Sequence, residues 1–160
     1  MNKKIFDTED YRLYINLLQE NINRMSSNSA SCKTWLISII TALLAIQTTI
    51  ENMSDILPIA VIPTFLFYFL DSYYLGLEKR FIVIETNFIN KIKMDEDCHE
   101  DLYSMNPQQV GTDKEYTWKG LKSYSTWPFY SILIICVLAI SLFQHSNEFF
   151  TFLHGLCQHC

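Results

Sequence analysis

Three stretches without a charged residue interrupt an otherwise polar chain: Thr34 to Ile50, Ile56 to Leu70 and Trp127 to Phe143. Each is about fifteen to seventeen residues, near the lower limit for a helix that crosses a bilayer. Aromatic residues stand at several of their ends, as they do at membrane–water interfaces. The second block does not stop where its apolar run stops. From Asp71 to Lys93 it turns polar with one Gly and no Pro, so the pattern predicts one helix over Leu57 to Lys93. In its polar half Tyr74, Leu77, Phe81, Ile84, Phe88 and Ile92 recur at three- and four-residue steps, which places them on one narrow face. That face predicts a coiled-coil-like seam between subunits. Asp71, Glu78 and Glu85 repeat every seven residues beside it, and Arg80, Asn87 and Lys91 lie on the far side.

Basic residues then set an orientation. Five Lys or Arg precede the first block and seven lie between Asp71 and Thr126, whereas Glu51 to Asp55 and the stretch after Phe143 hold none. The positive-inside rule therefore predicts a cytoplasmic N-terminus, a tight outer loop ENMSD, a long cytoplasmic connection and an outer C-terminus. Acidic residues barely influence orientation, so the formal net charge of −5 changes nothing here. It does argue against a nucleic-acid surface, which needs a concentrated basic patch.

The N-terminal segment is read as an amphipathic cytoplasmic helix. Thr8 is its N-cap, with Glu9 and Asp10 in the first turn. Tyr11, Tyr14, Leu18, Ile22 and Met25 mark its apolar face. SSNSAS (26–31) predicts a small polar hinge that ends this helix, and no cleavable secretory signal precedes it. Pro58 suits a first helical turn, and Pro63 predicts a kink inside the second span. WKGLKSYSTW (118–127) reads as an approach to the membrane with Lys119 and Lys122 facing anionic lipid, and Pro128 opens the third span.

Candidate chemistry is sparse. Five acids crowd Asp95 to Asp101 around Cys98 and His99, without a metal-ligand spacing, and predict a solvated acidic loop. Cys157 and Cys160 form a C-x-x-C beside His154 and His159, a set able to bind zinc or oxidise; its terminal position favours an inert tail. No Gly-rich phosphate loop, nucleophile elbow or zinc-protease helix is present, so the expectation is no enzyme, no cofactor, no metal and no catalytic residue. The ordered row Asp71, Glu78, Glu85 is either the solvated shoulder of a stalk or the lining of a vestibule beneath an oligomeric pore.

Two stretches carry a resemblance. DSYYLGLEKRF with its following helix, then SMNP and WKGLKSYSTWPFYSILI, resemble small multi-span membrane proteins encoded in prokaryotic antiviral defence loci, including accessories of RNA-targeting CRISPR systems. The likeness covers about Phe69 to Ile135. It implies a helical inner-membrane protein that modulates or executes a defence response.

The expected fold is thus an all-α integral membrane protein with three transmembrane helices. Residues 1–33 form the cytoplasmic amphipathic helix and hinge, 34–70 a transmembrane hairpin and 71–126 the cytoplasmic helix and acidic loop. Residues 127–144 form the third span and 145–160 an outer-face tail. The expected function is a non-enzymatic oligomeric inner-membrane effector or accessory of antiviral defence that senses a cytoplasmic partner or signal and alters permeability. The alternative is a membrane anchor that recruits a cytosolic enzyme without a pore. Its expected partners are the lipid bilayer, further copies of the chain and a cytosolic protein; no direct nucleic-acid binding is expected.

Overall fold

The computed structural model describes the backbone of residues 3–49, 57–94, 96, 98 and 101–158, and the side chains of 9–47, 49, 57–94, 96, 98 and 101–143. The predicted loop ENMSD, His99 and the side chains of the terminal Cys/His group lie outside the described residues. What is described is helical, with no strand: α1 (Lys3–Thr49), α2 (Val61–Lys93), α3 (Asp113–Leu121) and α4 (Trp127–Gln158). A 3₁₀ turn, Leu57–Ala60, leads into α2, and a second, Pro107–Val110, precedes α3.

Helices α1 and α2 form a long antiparallel hairpin. Tyr14 faces Phe88, Gln19 faces Glu85 and Ser29 faces Asp71. The buried positions of α1 run Tyr14, Leu18, Met25, Ser29, Cys32, Leu36, Ile40 and Gln47. These are steps of three, four or seven, so one helical face meets α2 along its length. That seam corrects the predicted hinge. SSNSAS is helical, because ending the helix there would unpack Met25, Ser29 and Cys32 together. Helix propensities of Ser and Asn fall only about 0.5–0.7 kcal/mol per residue below Ala, less than burying one large apolar side chain contributes, at about 1.5–3 kcal/mol. The boundary drawn between residues 33 and 34 therefore falls inside a single helix of 47 residues. Thr8 lies within that helix rather than capping it.

Pro63 is also corrected. Helix α2 starts at Val61, directly after the 3₁₀ turn Leu57–Ala60, so Pro63 stands at the change from 3₁₀ to α geometry near the start of the helix and not in its interior. The continuous helix from the apolar run into the polar one is present as expected. Beyond Phe143 the backbone stays helical as far as Gln158.

Two cores share this scaffold. One joins Tyr14, Leu18, Met25, Phe81, Phe88 and Cys98; the other joins Leu36, Ile40, Leu57, Ala60, Tyr130 and Val137. The first is closed by partly buried Leu102 and Met105 from the loop after α2. Between the cores lies a polar layer.

Candidate functional site

The layer is centred on Asp71, fully buried at the point where the apolar run of α2 ends. Its Oδ2 lies 2.7 Å from Nζ of Lys33, and its Oδ1 accepts the Ser29 hydroxyl proton. Both partners come from α1, four residues apart, so one face of that helix clamps one carboxylate. Lys33 keeps 19% of its side chain exposed while Asp71 keeps none. From α4, Tyr130 donates its hydroxyl to the Phe67 carbonyl at 3.3 Å and packs its ring 5.2 Å from that of Tyr68. Tyr68 in turn donates to the Leu121 carbonyl at 3.0 Å, which fastens the end of α3 at the same level. All four helices meet at this waist.

Helix α3 is held against α2 by close backbone contact. Ser72, Gly76 and Gly120 make the crossing. A Cβ on Gly76 would stand 2.9 Å from the Tyr116 carbonyl carbon, and one on Gly120 would stand 2.2 Å from the Ser72 carbonyl oxygen. Neither space admits a methyl group. The Ser72-x-x-x-Gly76 spacing is the sequence signal for such an approach, and sequence reading passed over it. At the far end of α3, Arg80 is 1% exposed and donates to the Gly111 carbonyl and the Asp113 carboxylate, its guanidinium 5.4 Å from the Tyr116 ring centre. Sequence periodicity placed Arg80 on the far side of the rod from the seam. That side is covered by α3 and the turn before it.

The predicted seam is occupied within one chain. Phe81 and Phe88 are buried, and Tyr74, Leu77, Ile84 and Ile92 are packed against the same core, with Tyr11, Tyr14, Leu18 and Ile22 of α1 opposite. The Tyr14 and Phe88 rings meet edge to face at 4.7 Å. These side chains are therefore spent inside the hairpin and are not a surface offered to a second copy.

The predicted acidic row is likewise turned toward α1. Asp71 is ion-paired, and Glu85 accepts a hydrogen bond from Gln19 at 3.0 Å. Glu78 is half-buried, and its Oε2 is enclosed without a hydrogen-bond partner among the described residues. Burial pushes the Glu78 carboxyl above the usual carboxylate range; Lys79 and Lys33 pull it back and Asp71 adds to the rise. The three acids thus have three different environments. Farther along α2, Lys91 pairs with Asp101 at 2.6 Å, and that hydrogen bond raises its pKa. Among the described residues, no group of three or more His, Cys, Asp and Glu is placed to hold a metal.

Chemically, the waist is a clamp. Its central carboxylate is buried and ion-paired. No protein-family model, curated protein or solved structure matches this chain.

Proposed function

We propose that the chain is a non-enzymatic inner-membrane protein with three spans, acting as an oligomeric effector or accessory of antiviral defence. The observation that carries the membrane reading is exposed apolar surface. In the two helices long and apolar enough to cross a membrane, only 17% and 28% of the most apolar window is buried. A soluble protein buries such windows. Here Trp35, Ile62, Phe65, Leu66, Phe69, Ile132, Ile135 and Phe143 are all exposed, and all belong to the three apolar blocks. A patch that large on a soluble monomer is a site for lipid or protein. The twelve-to-none distribution of Lys and Arg supports an N-terminus inside and a C-terminus outside.

Association is supported by α1 rather than by the rod. Ser31, Thr34, Ser38, Ala42 and Ala45 are exposed at three- and four-residue spacing. Thr34 and Ser38 hydroxyls bond back to the carbonyls of Ala30 and Thr34. Small, internally satisfied residues allow helices to approach closely in lipid.

Alkaline carbonate extraction with reporter fusions at Asn28, Asn52, Gln109 and Gln158 tests the membrane reading. Retention in the pellet with the first and third fusions cytoplasmic is the expected result; release into the supernatant would discard it. Flux through liposomes holding the pure protein, with and without its neighbouring gene products, tests the effector role. The anchor reading, in which the chain recruits a cytosolic enzyme, is favoured by one observation: Asp71, the acid nearest a pore mouth, is neutralised inside its own chain. Absent flux with a co-purifying enzyme would select it.

A further inference from the structure

The polar half of the hairpin carries a cleft of about 310 Å³ between α2 and the returning segment 101–110. This lies at the lower end of the range for small-molecule sites, about 300–1,000 Å³. Ile84, Phe88 and Val110 give it apolar walls, and Asn87, Asn90 and Gln109 stand in its lining. Asn87 and Asn90 are exposed and three residues apart, so they share one helical face. Among the described residues no protein group pairs with either carboxamide. Gln109 accepts from the Ser104 hydroxyl at 3.2 Å through Oε1, which leaves its NH₂ as the unspent end.

The far wall is held in place. Tyr14, buried beneath the cleft, donates its hydroxyl to the Ser104 carbonyl at 2.8 Å. The neighbouring Tyr103 adopts φ 62°, a left-handed conformation that bulky side chains seldom take. Strain of this kind persists where surrounding contacts over-determine the backbone. Here Tyr14 supplies one, its ring 6.2 Å from that of Tyr103.

We infer that this cleft binds a single neutral nucleobase or nucleoside. Each carboxamide presents a donor beside an acceptor, the pairing that reads the edge of a base. The apolar walls suit a flat ring. Among the described residues the charges at the rim cancel, since Lys91 is already paired with Asp101 at 2.6 Å, so a phosphate is not the selected group. The volume is too small for the several residues of an extended peptide, and no strand edge is present among the described residues for one to join. The inference does not rest on the membrane reading.

The test uses the full chain in nanodiscs, titrated calorimetrically with adenosine, guanosine, cytidine and uridine in turn. At least one nucleoside is expected to bind with one site per chain. Asn87→Leu with Asn90→Leu should weaken that binding at least about fivefold, the lower end expected for losing a bidentate contact. The thermal unfolding of the variant should match the parent, since both side chains are exposed. A derivative N-methylated on its hydrogen-bonding edge should not bind. Absence of binding by all four nucleosides at millimolar concentration overturns the inference, as does binding that the double variant or the methylated edge leaves unchanged. A protein partner lost from the double variant, with no nucleoside bound to the parent, would make the cleft a peptide groove instead.

Discussion

The ammonium of Lys33 on α1 lies 2.7 Å from the carboxylate of Asp71 on α2, in the polar layer between the two apolar cores. The pair is asymmetric: Asp71 is wholly buried, whereas part of the Lys33 side chain reaches the surface. Removing Lys33 therefore strands a buried charge, while removing Asp71 leaves an ammonium able to turn outward. We expect Lys33→Met to destabilise the chain by about 3–5 kcal/mol and Asp71→Asn by clearly less. The double change Lys33→Met with Asp71→Leu should recover most of the loss. Thermal unfolding in detergent measures all three, and equal losses for the two single variants would discard the asymmetry.

Gly120→Ala tests the crossing of α2 and α3. A helical alanine is ordinarily favoured over glycine by about 1 kcal/mol. Here its methyl would overlap the Ser72 carbonyl, and overpacking of this kind costs about 1–3 kcal/mol or more. The expected sign is a net loss, with faster proteolysis in the turn between α3 and α4. A stabilised variant would mean the two helices do not touch at this point.

Phe88→Ala should destabilise the hairpin by about 3–5 kcal/mol, because the ring is 3% exposed and packs on Tyr11 and Tyr14. Phe81→Asp with Phe88→Asp should then unfold the polar half rather than separate intact subunits. Far-ultraviolet circular dichroism beside mass measurement distinguishes the two. Folded monomers from the double variant would restore the rod as a subunit seam.

Glu78 predicts a pH effect of definite sign. Burial raises its folded-state pKa above the unfolded value, so the native chain holds its proton more tightly. Its contribution is favourable below the ordinary carboxylate pKa and is lost as pH rises through the raised one. Glu78→Gln should consequently stabilise the protein at neutral pH and make no difference in acid. Unfolding curves across that range report it; a variant less stable at pH 7 would show that the ionised carboxylate is the form the fold prefers.

Ser38→Phe with Ala42→Phe fills the small-residue face of α1 without touching the buried positions Leu36 and Ile40. If copies of the chain associate through this face, as proposed, the variant should be monomeric while unfolding as the parent does. Native mass measurement in detergent checks this, and an unchanged mass would remove α1 from the subunit contact.

Much of the architecture was legible in the residues alone. Long charge-free blocks and a seam at three- and four-residue steps require helices, because those spacings repeat only on a helical face. The unbroken course of α2 from Val61 to Lys93 and the start of α4 beside Pro128 followed from that pattern. Periodicity tells which face is buried but not what buries it. Only the tertiary structure supplied α1 as the partner of Phe81 and Phe88, and with it the reason SSNSAS stays helical: the cost of a few poor helix formers is small beside that of a continuous packed face. Arg80 and Asp71 show the same limit. A charge repeating along a helix reads as solvated until a segment distant in sequence covers it, and Asp113, Lys33 and Ser29 lie 33 to 42 residues away. Gly76 and Gly120 complete the case, since what a glycine permits depends on the backbone that approaches it, and that backbone is placed by the fold.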